Sequence, residues 1–289
     1  MNNLYDDIRA NPSFNRLEVG ELLFAEYTCP LEAKLFELWT EQDYLVHVVS
    51  GRKTWHTSDG SWTVSDGETL FFKKGAAVVE QHFESDFCVL IFFIPDSLPR
   101  EVVSSHLTEL EPPTHPGDPP RAAIPVAPDA GLNAFFSSMK TYFAGDEKPT
   151  EPLLRLKLKE LILSILLSKS NPELSGYFRG LADSDGPSLP ATMEANYRHR
   201  LSLEQFAKLC HRSLSSFKRE FRRHYDTSPG RWLVQRRLDY AAALLRSSLE
   251  KTITDIVFDS GFEDVSHFSR SFRERFEMSP TEYRESPRE

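Results

Sequence analysis

The chain has 289 residues, 40% of them hydrophobic and 27% charged, and a formal net charge of −9. That length allows two domains of ordinary size, and that composition excludes a disordered or collagen-like chain. The acidic total counts against a polyanionic partner only until it is divided: residues 193–289 hold 18 basic and 15 acidic side chains, leaving 16 and 28 for the rest. The C-terminal third is weakly basic, and the acidity sits ahead of it. Cys29, Cys88 and Cys210 make no metal-binding spacing and cannot all pair. Cys88 and Cys210 lie in apolar settings and read as small core residues of a reducing compartment. Polar and acidic residues follow Met1, so no signal sequence is expected. The apolar run Leu153–Leu167 is broken by Arg155, Lys157, Lys159 and Glu160, which argues against a membrane span and for the cytoplasm.

From about Phe14 to Pro95 the pattern predicts β-structure. Tyr44–Ser50 is a β-branched run ending at the turn residue Gly51, Asp59-Gly60 and Asp66-Gly67 mark tight turns, and Thr69–Phe72 and Phe87–Ile94 read as buried strands. Short strands with glycine turns suggest a small antiparallel barrel or jelly roll. Glu111–Pro128 holds seven prolines in eighteen positions and predicts a stiff, exposed connection. Helical patterns follow over Ala130–Phe143, Pro152–Ser168 and Pro172–Leu181, with each proline suited to a first helical turn. Residues 184–190 read as a second linker.

Beyond it, everything predicts helix. Ser202 with Gln205, and Thr252 with Asp255, are spaced as capping boxes, and Ser213, Ser228 and Ser279 stand before further helices. A block recurs here at an offset of 51: Phe217, Arg219, Phe221, Arg222, Tyr225, Ser228 and Pro229 reappear as Phe268, Arg270, Phe272, Arg273, Phe276, Ser279 and Pro280. Two copies are too few for a solenoid. Each copy pairs an apolar seam with arginines at helical spacing, which suits a helix buried on one face and offered to a polyanion on the other. A short helix precedes each, so the expectation is two helix-turn-helix units, over 203–224 and 253–276. A major groove about 12 Å wide admits one helix, and the reading side chains must come from its outward face. That face holds Ser215, Ser216, Lys218, Arg219 and Arg222 on the first reader, and Val265, Ser266, His267, Ser269, Arg270 and Arg273 on the second. The helix between, about 30 Å long by its residue count, nearly matches the groove repeat of about 34 Å.

The stretch Leu201–Arg284 resembles the AraC/XylS family DNA-binding domain. The residues that carry the likeness are R-R-L-D-Y-A-A-A-L-L at Arg236–Leu245, I-T-D-I-V at Ile253–Val257, G-F-E-D-V-S-H-F-S-R-S-F-R at Gly261–Arg273 and S-P-T-E-Y-R at Ser279–Arg284. The resemblance implies a seven-helix domain that binds double-stranded promoter DNA, with RNA polymerase as a further partner. Carried over by position, Ser215, Lys218, Arg219, Val265, Ser266, Ser269 and Arg270 would face bases, and Ser216, Arg222, His267 and Arg273 phosphates. His211 stands where the family often has a turn glycine, Val257 where it has alanine and Glu277 where it has glycine. The N-terminal region looks like the family's cupin-type domain, with Gly67–Gly75 similar to its strand and turn, and more narrowly like the ExsA-like subset, whose regulator is a protein rather than a sugar.

The implied whole is an α+β chain. A cupin-like effector barrel spans 1–110, a proline-rich connection 111–128, a helical linker or dimerisation segment 129–183, a linker 184–190 and an AraC-type domain 191–289. Its expected function is sequence-specific transcription regulation, as an activator, under a small-molecule or protein effector. A homodimer seam is expected through 153–167, where Leu153, Leu156, Leu161, Leu163, Ile165 and Leu167 crowd more than one helix side. The rival is a cupin-type metal enzyme or ligand-binding protein fused to a DNA-binding module, suggested by His47, His56, His82 and Glu68. The paired histidines such a site needs are missing, so neither catalysis, a metal nor a cofactor is expected. Lys73-Lys74 reads as an exposed turn, and Arg236 and Arg237 as scaffold partners of acids such as Asp239 and Asp255.

Overall fold

The structure, a computed structural model, describes residues 1–28, 34–82, 87–106, 121–183 and 186–286, and divides into two compact units, Met1–Gly186 and Pro187–Glu289. Cys29 lies outside the described residues.

The first unit opens with a short strand β1 (Asn2–Asn3) and helix α1 (Leu4–Ala10), whose first amides are capped by the Asn3 side chain. Strands β2 (Asn15–Val19), β3 (Leu22–Thr28), β4 (Leu35–Thr40), β5 (Asp43–Ser50), β6 (Lys53–Thr57), β7 (Gly60–Val64), β8 (Thr69–Phe72), β9 (Gly75–Gln81) and β10 (Cys88–Ile94) follow. Then come α2 (Ser97–His106), β11 (Ala123–Val126), α3 (Ala130–Ala144), α4 (Glu151–Leu167) and α5 (Pro172–Asp183). The strands form two sheets, in the orders β1-β4-β9-β6-β7 and β11-β8-β5-β10-β3-β2. The β1–β4 pair is parallel. The β6–β7 hairpin turns at Ser58-Asp59, one residue earlier than the Asp59-Gly60 signal, with Thr57 opposite Gly60.

Of the two expectations, a barrel or a jelly roll, the sheets do not close as a barrel: among the described residues no strand pair joins them. Strand β10 gives the physical reason. Its Val89, Ile91 and Phe93 point into a core shared with Leu38, Trp55 and Val79 of the other sheet. Its Leu90, Phe92 and Ile94 point the opposite way, among Phe135, Leu161 and Phe178 of the helices. A sheet covered on both faces needs continuously apolar central strands, and the unbroken run at 87–94 is that signature. The unit is a mixed-sheet sandwich with helices on one outer face.

Helix α4 turns Leu154, Leu158, Leu161, Ile162, Ile165 and Leu166 into that helical layer. Leu161 and Ile165, expected in a dimer seam, are therefore interior. Leu156 and Leu167 remain 61% and 60% exposed, with Leu163 partly buried on the same side. Of the proline-rich stretch, 111–120 lies outside the described residues. Its end is not a linker: β11 pairs with β8, and as an edge strand it tolerates Pro125. The Lys73-Lys74 expectation also fails. The Lys74 ammonium is nearly buried and bridges Asp96 at 2.5 Å, its amide donates to Asp43, and Tyr177 of α5 donates to the same Asp43 carboxylate.

The second unit consists, among its described residues, of seven helices: α6 (Leu189–Asn196), α7 (Leu203–Leu209), α8 (Leu214–Tyr225), α9 (Pro229–Ser247), α10 (Ile253–Asp259), α11 (Val265–Phe276) and α12 (Pro280–Glu285). Helix α6 begins inside the expected linker, because Ser188 accepts from the Ala191 amide and Pro190 sits in the first turn. Residues 184–185 lie outside the described set.

Candidate nucleic-acid interface

The two repeats fold as two helix-turn-helix units with matched caps. Ser202–Gln205 and Thr252–Asp255 close reciprocal capping boxes at the starts of α7 and α10. Ser213 and Asp264 cap α8 and α11 through the amides of Ser216 and His267. The turns match too: Arg212 N donates to Ala207 O, and Phe262 N to Val257 O. These turns and the helices before them are offset by 50 residues, whereas the readers are offset by 51. The second turn is one residue longer.

Positive φ falls where the chain must reverse. His211 (φ 53°) takes the first turn and Gly261 (φ 88°) the second, while Asp226 (φ 52°) and Glu277 (φ 59°) end the two readers. The departures noted at His211 and Glu277 therefore put ordinary side chains into left-handed backbone, at a cost of about 1 kcal/mol each.

The apolar seams are buried. Phe217 and Phe221 of α8 are fully covered, and Phe221 meets Tyr225 and Trp232. Phe268 and Phe272 of α11 are covered in the same way, against Phe276 and Tyr283. Turning these rings inward leaves the arginines outside.

Several of the domain's arginines are held within it. Arg212 is held by Glu220 at 2.6 Å, Arg236 by Glu194 at 2.8 Å and Arg275 by Asp239 at 2.7 Å. Arg246 donates to Ser286, and Arg237 to the carbonyls of Tyr197 and His199. The expected acid partners of Arg236 and Arg237 are thus corrected: Asp239 serves Arg275, and Asp255 is spent on the α10 cap. Lys218, Arg219, Arg222, Arg270 and Arg273 are exposed and form no ion pair or hydrogen bond among the described residues. An exposed cation on an outward helix face is what a phosphate or base edge requires.

The remaining expected contacts lie on the same faces. Ser215, Ser266 and His267 are exposed, while Ser216, Ser269 and Val265 are half-buried, Val265 packing on the second core. Sequence reasoning missed Arg223 and Arg231, both exposed and unpaired among the described residues. The repeat hid them, since Glu274 and Glu282 stand at the matching positions. Arg223, four residues after Arg219 on the same helix face, was recoverable from helical spacing alone.

His199, between α6 and α7, is a different case. Burial, reinforced by the charges of Arg198 and Arg237, holds its pKa down at about 4, and its Nε2 finds no partner among the described residues.

In the first unit the candidate metal ligands point to separate partners. His47 Nδ1 meets Thr69 Oγ1 at 2.9 Å with its ring stacked on Phe136. His56 meets Glu80, His82 meets Thr54, and Glu68 accepts from the Ser65 amide. The four do not converge. Among the described residues no helix is long and apolar enough to cross a membrane.

Comparison with known proteins gives two matched regions. The ExsA N-terminal regulatory domain matches residues 43–177, and a helix-turn-helix domain matches residues 206–286. The HTH-type transcriptional regulator ExsA of Pseudomonas aeruginosa is 27% identical over 261 residues, covering 89% of this chain and 92% of that one. The virulence regulon transcriptional activator VirF of Yersinia enterocolitica is 25% identical over 264 residues, covering 91% and 96%. Among solved structures, apo ToxT from Vibrio cholerae aligns over 93% of this chain and 98% of its own, with 13% identity and a TM-score of 0.43.

Proposed function

From the premise that this chain is a transcription regulator of the AraC/XylS family, joining an ExsA-type regulatory domain to a DNA-binding helix-turn-helix domain, we propose that α8 and α11 enter successive major grooves of promoter DNA. Its relatives are regulators, not enzymes. The observation that supports the proposal is the exposure of cations on the two readers: Lys218, Arg219, Arg222, Arg270 and Arg273 face outward with no ion pair or hydrogen bond among the described residues, while Arg212, Arg236 and Arg275 are each held by an acid. Helix α9 sets the separation at about 28 Å for its 19 residues. Ser215, Lys218 and Arg219, with Val265, Ser266, Ser269 and Arg270, face base edges. Ser216, Arg222, His267 and Arg273 hold phosphates and supply the salt-dependent share of the affinity.

The cupin-like sandwich is the regulatory part, acted on in the cytoplasm by an effector, small molecule or protein, that alters how the readers are presented. Two chains pair along the exposed side of α4, through Leu156, Leu163 and Leu167. Activation, with RNA polymerase as the downstream partner, follows the activators it resembles, VirF among them.

The test is a pair of substitutions measured on DNA. Arg270→Ala weakens binding to a selected site by about 1–3 kcal/mol and relaxes preference at one base position. Arg222→Ala lowers affinity for all sequences alike and flattens the dependence on salt by about one counterion. Fluorescence anisotropy across a salt series, with in vitro selection from a random duplex pool, checks both. An Arg270→Ala profile identical to wild type would remove that residue from base reading.

A further inference from the structure

We infer that Arg237 is a positioning residue for DNA recognition, one that fixes the second reader relative to the first by clamping the strap Tyr197–Arg200 over the second turn. This rests on the two-groove reading above and names what enforces it. Helix α9 alone is a weak guarantee of orientation. Near its start Trp232 packs with Phe221 and Tyr225 of the first reader. Further along, Leu238, Ala241, Ala242 and Leu245 pack in the core of the second helix-turn-helix, with Ile256, Phe268 and Phe272. A single helix joining two small cores leaves bending and twisting at the joint unopposed.

The strap supplies a second attachment. It connects α6 to α7, in the first half of the domain, yet it is fastened to the second half. Arg237 Nε donates to Tyr197 O at 2.6 Å, and its Nη2 donates to His199 O at 2.8 Å. Between those two carbonyls, the Arg198 peptide lies against Gly261: a Cβ there would stand 2.5 Å from Arg198 O and 3.0 Å from Arg237 Nε. Arg198 itself reaches back to α9, donating to the Tyr240 hydroxyl at 2.7 Å with its guanidinium 4.8 Å from that ring. Gly261 is the turn of the second helix-turn-helix. Strap, second turn and linker helix thus meet at one guanidinium, and the path through them closes a loop that α9 leaves open. The planar fork suits two carbonyls at once, and an ammonium on a flexible stem does not.

The probe is a duplex that the wild-type full-length chain selects from a random-sequence pool, with two derivatives: one with the second box scrambled, one with a base pair inserted between the boxes. Arg237→Met keeps the bulk of the side chain and removes the fork. It is expected to bind the intact duplex about tenfold more weakly, while binding the scrambled-box duplex as wild type does, because only the cooperation of two linked modules is lost. The inserted base pair, costly for wild type, then costs the variant little. Arg237→Lys, which keeps the charge and can serve one carbonyl, moves each readout the same way by less. Equal loss of affinity for intact and scrambled duplexes, or wild-type sensitivity to the insertion in both variants, overturns the assignment. Wild-type chain indifferent to scrambling the second box would instead overturn the two-groove reading itself.

Discussion

Gly261→Ala is expected to disable DNA binding by the full chain while leaving the N-terminal unit folded. Two costs add. The residue sits at φ 88°, a left-handed conformation that costs an ordinary side chain about 1–2 kcal/mol. Its new methyl would also lie 2.5 Å from Arg198 O and 2.9 Å from Arg198 C, both backbone atoms that cannot swing aside. Relieving such overpacking by a backbone shift costs about 1–3 kcal/mol more. Thermal unfolding followed in parallel with a gel-shift assay checks this: the melting of the helical unit moves down and the shifted band is lost. His211→Ala is the control, because that position already carries a side chain at φ 53° and should change little. A Gly261→Ala chain that melts and binds like wild type would show that the strap does not press on the turn.

The second large effect is expected at Phe272. Its ring is fully buried, with ring centres 5.3 Å from Phe268, 4.5 Å from Phe276 and 5.4 Å from Tyr283. Truncation to alanine costs about 3–5 kcal/mol, against a total domain stability of about 5–15 kcal/mol. Because this ring belongs to the second core, a DNase footprint should lose protection over one box and retain it over the other. Uniform loss over both boxes would mean that the two halves of the domain melt as one.

What was legible in the sequence followed from local rules. The capping boxes at Ser202 and Thr252, and the Ser-Pro starts at 228–229 and 279–280, fix helix beginnings by satisfying free amides. The phenylalanine stripes announced the buried sides of α8 and α11, and so the faces left exposed. What was not legible depended on who meets whom at a distance. Periodicity along β10 gives an apolar run but not the identity of the two layers that cover it. Prolines over 111–128 suggested a connection, yet Pro125 needs only an unpaired strand edge, which β11 itself keeps on the side away from β8. Lys74 was hidden for the same reason, since Asp96 and Asp43 reach it only after the sheet has formed. The partners of Arg237 were beyond sequence altogether: a backbone carbonyl has no letter.

The extra residue in the second turn has a consequence for polarity. Offsets of 50 for the scaffold helices and 51 for the readers mean that the two halves are not copies related by one rigid operation. A symmetric dimer on a palindrome looks the same from either end. Two unequal helix-turn-helix units in a single chain do not, so a chain seated with both of them on the duplex, as proposed, would have a front and a back.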